Sequence, residues 1–217
     1  MRKATQTQIE TFHDFNILLD SREIFIHGYD TDDSGTDHRM ATTFIKNLKI
    51  LERSLEPIII HQHNIGGSWD CGMAIFDSIK YSPCSFVFIC YGIAASMGSI
   101  IPQAVFGKGL RITMPNCDWL IHEGDLYLEG IHTQVKSNLD YMNLNKHAMY
   151  EIYTDSCCSG SFFETYSRSK VKAFLKRKIR EKTDWCMGSN EALEYGFVDG
   201  IFGEKGFETI DKIKSYL

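Results

Sequence analysis

Hydrophobic and polar positions follow two rhythms along this chain. Short runs rich in Ile, Val, Phe and Thr read as β-strands over residues 22–28 (REIFIHG), 56–63 (EPIIIHQH), 85–91 (SFVFICY), 110–114 (LRITM) and 118–122 (DWLIH). Between the first two runs, Met40, Phe44, Leu48 and Leu51 fall on one face at helical spacing. Met73, Phe76 and Ile79 do the same between the second and third. This β-α-β-α-β order predicts an α/β fold with much parallel pairing and right-handed crossovers.

Residues 130–155 carry a different pattern. Ile131, Val135, Leu139, Met142, Met149 and Ile152 keep a helical stripe without a Gly or Pro to stop it. The stripe predicts a helix well beyond the usual mean of about 11 or 12 residues. Its apolar side needs a cover, supplied by the domain itself or by another subunit. The segment DSCCSGS (155–161) ends the pattern, and a basic helix over 170–182 follows, with Val171, Phe174, Leu175 and Ile179 on one face and its cations solvated. Residues 189–196 (SNEALEYG) predict a short helix with Ser189 as N-cap, Glu191 in the first turn and Gly196 at its end.

Composition narrows the possibilities. A chain of 217 residues, 43% hydrophobic and 24% charged, is one globular domain in size and can bury a real core. A net charge of -5 argues against nucleic acid as a partner. Seven cysteines with no CxxC predict reduced thiols and a cytoplasmic setting, and the adjacent Cys157 and Cys158 lack the second pair a zinc site needs. The N-terminus has no signal-peptide core. The acidic loop 30–41 imitates a calcium loop at Asp30, Asp32, Ser34 and Gly35, but Ala41 stands where the bidentate Glu belongs, so it reads as a polar turn. No metal or cofactor is expected.

From Tyr81 to Gly107 the chain has no Asp, Glu, Lys or Arg. Ser82, Pro83, Gly92, Gly98 and Pro102 break this run, so it reads as a strand buried on both faces rather than a membrane span. Ser96 follows that strand at a turn of small residues. There its hydroxyl stands clear of the core beside the amides of a helix start, or is satisfied by a nearby carbonyl. Gly66 and Gly67 lie between a strand and a helix, where bare amides can serve a developing negative charge. His122 ends a further strand.

Taken in order, these segments resemble a known family, the proteolytic subunit of Clp, a compartmentalised serine peptidase with the crotonase-like fold. GIAASMGS resembles its nucleophile motif, GGSWDCGMAIFD its Gly-Gly loop and helix, MPNCDWLIH its histidine strand, and DWCMGSNEALEYGFVDGI its acid-bearing segment. The likeness spans roughly residues 12–202. It implies Ser96 as nucleophile, His122 as general base, Asp184 as orienting acid, and the amides of Gly67 and Met97 as the oxyanion hole. It also implies an N-terminal segment (1–21), an α/β head (22–125 and 183–217) and a protruding helical handle region with an insertion (126–182).

The same resemblance implies polypeptide substrates, a homo-oligomeric ring (a heptamer or stacked rings) around a chamber, and an AAA+ unfoldase, since the chain has no phosphate loop of its own. A virus-type maturation peptidase, an inactive scaffold subunit and a crotonase-type CoA-ester enzyme share the fold and are the alternatives. Several positions depart from the family. Ile65 replaces a proline before the Gly-Gly pair, which predicts a looser turn. Glu123-Gly124 replace Gln-Pro, and an acid beside His122 predicts activity shifted to higher pH. Pro102 lies within the helix predicted after Ser96 and predicts a lost backbone bond or a kink there.

Overall fold

The computed structural model describes residues 5–27, 35–125 and 127–217. Its strands are β1 (Ile17–Leu18), β2 (Glu23–His27), β3 (Ile58–Asn64), β4 (Phe86–Ala95), β5 (Gly109–Thr113), β6 (Asp118–Ile121), β7 (Trp185–Met187) and β8 (Gly200–Ile201). The helices are α1 (Gln6–Phe15), α2 (His38–Leu51), α3 (Trp69–Lys80), α4 (Met97–Ile100), α5 (His132–Cys157), α6 (Arg168–Lys182), α7 (Ser189–Glu194) and α8 (Ile210–Lys214). The fold is mixed α/β, as the alternating rhythms predict. The acidic-loop residues Asp30, Asp32 and Ser34 lie outside the described residues.

One sheet runs in the order β1-β2-β3-β4-β5-β8, parallel throughout except for β1 against β2. Side chains alternate across it with the strand period of two. Ile58, Ile60, Phe86 and Phe88 enter the main core with Phe44 and Leu48 of α2 and Ile75 and Ile79 of α3. Ile59, Val87, Ile89 and Ile112 enter a smaller core closed by Ile213 of α8. Burial on both faces accounts for the uncharged run, because a strand with no solvent face has no place for an unpaired charge.

β4 serves two partners. Its first half pairs with β5, from Phe86 opposite Gly109 to Cys90 opposite Thr113. Its last three residues pair with β6 instead, from Ile93 opposite Asp118 to Ala95 opposite Leu120. β7 then joins β6 antiparallel, with Ile121 opposite Trp185. The sheet therefore branches at the end of β4.

The long helix is present, with 26 residues in α5. Only its last part is buried, at Met149, Tyr150, Tyr153, Thr154, Ser156 and Cys157. Upstream, Ile131 and Leu139 of the predicted stripe are exposed, so that part of it lacks a cover among the described residues. α6 buries Val171, Leu175 and Ile179 and is tied to α5 through Glu151, which binds Arg168 at 2.7 Å and also Lys172. Among the described residues no helix is long and apolar enough to cross a membrane.

Three expectations change in detail. Ser189 is the first residue of α7 rather than its cap; Gly188 occupies the cap, and the Ser189 hydroxyl donates to Pro115 O at 2.8 Å. α4 does not kink at Pro102. It stops at Ile100, and a 3-10 turn over Ile101–Val105 takes Pro102 near its start, where a missing N–H leaves nothing unbonded. β1, β7, β8, α1 and α8 were not foreseen, being short or little buried.

A buried ion pair closes the sheet's far side. Arg111, wholly buried on β5, donates to Asp199 through Nε (3.0 Å) and a terminal nitrogen (2.5 Å), and to Gln103 Oε1 (2.6 Å) and Gly196 O (2.9 Å). Asp199→Asn leaves that guanidinium without its counter-charge and is expected to cost about 3–5 kcal/mol in denaturant unfolding. The α5–α6 tie gives a pH signature. Hydrogen bonds from Lys172 and then Arg168 lower the Glu151 carboxyl to about 2. Its contribution is thus complete above the ordinary glutamate value of about 4.3 and is lost as pH falls toward the lowered one. Stability curves of wild type and Glu151→Gln should differ at neutral pH and converge by about pH 2.

Candidate active site

The branch in the sheet sets the geometry. Ser96 follows the last residue of β4, His122 follows the last residue of β6, and Asp184 precedes the first residue of β7. Because Ala95 lies opposite Leu120 and Ile121 opposite Trp185, all three emerge at one end of the sheet. The Ser96 amide donates to Leu120 O at 2.9 Å, which locks the serine turn onto the histidine strand. Asp184 Oδ1 lies 3.3 Å from His122 Nδ1. The other ring nitrogen, Nε2, is buried and has no hydrogen-bond partner, and the Ser96 hydroxyl likewise has none among the described residues. Ser96 and His122 line one cleft of about 470 Å³, together with Gly67, Trp69, Met97 and Met149.

Two of these residues hold strained backbone. Ser96 adopts φ 52° and ψ -122°, a region that non-glycine residues avoid at a cost of about 1–3 kcal/mol. Such a turn between strand and helix lifts a side chain off the sheet and leaves the first helical amides free. Thr183, at φ 61° and ψ -67°, centres a tight three-residue turn in which the Asp184 amide donates to Lys182 O at 2.7 Å. A β-branched residue there is unusual. The turn redirects the chain from the end of α6 into β7 and presents Asp184 toward the imidazole.

The Gly-Gly loop supplies the space and the donors. At Gly66 φ is +104°, and a β-carbon would lie 2.5 Å from that of Ser96. Only glycine allows this approach. With Ile65 in place, the loop is held by hydrogen bonds on both sides of the Gly-Gly pair. Asn64 Oδ1 accepts from the Gly66 amide at 2.8 Å, Thr36 donates to Gly66 O, and the Ser68 amide donates to Thr36 O at 2.8 Å. Asn two residues before a turn amide is a recognisable local signal, and Asn64 could have been read from the sequence. The amides of Gly67 and Met97 make no hydrogen bond among the described residues.

Other supporting residues gave no local signal. The Ser99 hydroxyl bonds Ser96 O at 2.6 Å and the Tyr153 hydroxyl of α5 at 2.7 Å, so the long helix steadies the serine turn. Glu123 does not act on His122 in the way its adjacency suggests. Its carboxylate accepts from Tyr150 at 2.5 Å and lies 3.2 Å from Lys146 and 3.6 Å from Arg180. Burial opposes its ionisation, but Tyr150 and Lys146 outweigh burial and hold the carboxyl below the usual range. No metal-binding group of His, Cys, Asp or Glu forms among the described residues.

The sheet thus brings the Ser96 hydroxyl and the His122 imidazole to one cleft, with the Asp184 carboxylate on the far side of the ring. Comparison with known proteins gives the family. The Clp protease family model matches residues 6–205. The chain is 32% identical over 189 residues to ATP-dependent Clp protease proteolytic subunit 1 of Chlamydia trachomatis serovar D, covering 85% of this chain and 88% of the relative. It is 28% identical over 193 residues to the proteolytic subunit of Ligilactobacillus salivarius, covering 88% of each. Against proteolytic subunit 3 of Synechococcus sp. it is 29% identical over 201 residues, 90% of each. This chain belongs to the Clp protease family, a family of peptidases.

Gly66→Ala combines a forbidden φ with a collision at Ser96. It is expected to lose about 1–3 kcal/mol in denaturant unfolding, with the Ser96 turn displaced.

Proposed function

We propose that this chain is a serine endopeptidase of the crotonase-like fold, working through Ser96, His122 and Asp184. The observation that carries the reading is the buried, unpartnered Nε2 of His122 in the cleft it shares with Ser96, while Asp184 stands at the other ring nitrogen. A buried ring nitrogen without a partner is costly unless something else gains from it. A base awaiting a serine proton and a substrate is such a gain.

The chemistry follows from these groups. As Ser96 Oγ attacks the peptide carbonyl carbon, its proton passes to His122 Nε2, and the carbonyl π electrons move onto oxygen. Asp184 keeps the Nδ1 proton in place and stabilises the imidazolium. The Gly67 and Met97 amides meet the oxyanion, a type of contact that supplies a large part of such accelerations. Collapse breaks the C–N bond, and His122 hands its proton to the leaving amine. Water, deprotonated by the same imidazole, then cleaves the acyl-Ser96 ester. An oxyanion hole of two backbone amides needs no metal.

The exposed start of the α5 stripe supports assembly into a homo-oligomeric ring, because Ile131 and Leu139 would otherwise face water. In this reading residues 126–182 form the handle, and residues 22–125 with 183–217 form the head. Substrates are polypeptides. An AAA+ unfoldase partner accords with the "ATP-dependent" relatives, and a cytoplasmic setting with seven unpaired cysteines. An inactive scaffold subunit is the second reading, favoured by the missing Ser96–His122 hydrogen bond and by a largely exposed Asp184. Catalytic hydrogen bonds often tighten only when substrate binds, which places this reading second.

A fluorophosphonate probe tests the assignment. Labelling is expected at Ser96, and should disappear in Ser96→Ala and fall sharply in His122→Ala. A folded, assembled protein that takes no label would make it a scaffold.

A further inference from the structure

The segment that carries His122 is held in an unusual way. β6 ends at Ile121, and residues 122–125 make no backbone hydrogen bond among the described residues. The ladder therefore fixes the end of β6 but not the direction of the imidazole beyond it. The side chains do that instead. His122 reaches Asp184, and Glu123, next along the chain, reaches both α5 and α6.

The Glu123 contacts converge from different directions. Tyr150, almost wholly buried on α5, donates its hydroxyl to Oε1 at 2.5 Å. Lys146, one turn earlier on the same helix, lies 3.2 Å from Oε2. Arg180 of α6 approaches Oε1 at 3.6 Å. Lys176 of α6 sits 5.4 Å above the Tyr150 ring and steadies the phenol that makes the shortest contact. A carboxylate with a phenol and two cations around it is held in direction as well as in position. Lys146 and Glu123 also line the cleft that contains Ser96.

We propose that Glu123 is a positioning residue for His122, keying the strand end that bears the imidazole to Tyr150 and Lys146 of α5 and Arg180 of α6. The proposal rests on the reading of Ser96 and His122 as the reacting pair. α5 then holds both partners of the proton transfer: Tyr153 steadies the serine turn through Ser99, and Tyr150 steadies the histidine segment through Glu123. Glu123 touches no substrate in this role. Its loss lets the imidazole drift from the line to Ser96 Oγ, while Gly67, Trp69, Met97 and Met149 still line the cleft.

The test uses the assembled full chain, with two readouts: the rate of fluorophosphonate labelling at Ser96, and kcat and KM on an unstructured peptide. Glu123→Ala is expected to lower labelling rate and kcat by about tenfold to a hundredfold with little change in KM, the scale that a displacement of about 1 Å produces. Glu123→Gln, whose amide oxygen still accepts from Tyr150, should recover part of the loss. Tyr150→Phe keeps the buried ring and removes only the hydroxyl, so it tests the same link without a cavity. Adding it to Glu123→Ala should cost nothing further. Lys172→Met, which removes one of the two Glu151 ion pairs between the same two helices, should leave labelling unchanged.

Labelling of Glu123→Ala and Tyr150→Phe at the wild-type rate would overturn the proposal and leave the peptidase reading intact. An equal loss in Lys172→Met would overturn it too, reducing Glu123 to a brace between helices. A wild-type protein that takes no label would remove the reacting pair, and this proposal with it.

Discussion

The divided pairing of β4 is the constraint on which the rest depends. A strand that kept one neighbour along its length would leave β6 elsewhere, and His122 with it. Because β4 exchanges β5 for β6 near its end, the residue after β4 and the residue after β6 leave the sheet side by side. β7, antiparallel to β6, brings its first residue to the same end, so Asp184 arrives from the opposite chain direction. Backbone hydrogen bonds thus bring together residues from three separated stretches of chain. The side chains settle only the last few ångströms.

Those last ångströms are held against local preference. Ser96 and Thr183 both occupy positive φ, and both adjoin or form the site. Strain of that kind persists only where surrounding contacts over-determine the backbone. Here the contacts are visible: Leu120 O and Ser99 around the serine turn, and the end of α6 around Thr183. α5 and α6 contribute beyond the site as well. They bury their inner faces against the α/β core while leaving the first turns of α5 uncovered, so one pair of helices braces the cleft and offers an apolar surface to a neighbour.

Much of this was legible in the chain. β2 to β6, α2, α3 and α7 follow from periodicities that a buried face imposes every two or every three to four residues, and α5 announced its length through an unbroken stripe. Ser96, His122 and Asp184 were named through the resemblance of their segments to a known family, and the branched sheet brings those segments to one end. The extension of β4 to Ala95 could not be read, since Gly92 and the small residues after it end the alternation that marks a strand. β1, β7 and β8 are too short to show a period. The contacts of Glu123 could not be read from its place beside His122; its closest partner, Tyr150, is 27 residues away.

Taken alone, the order of residues determined which segments become strands and helices and which faces turn inward. These depend on neighbours within a turn or two of helix, or a few positions of strand. Tertiary structure decided which strand pairs with which and in what register, where the apolar stripe of α5 goes uncovered, and which charge Glu123 meets. Those outcomes are set by contacts between distant residues, whose energies exist only once the sheet has closed and brought them within reach.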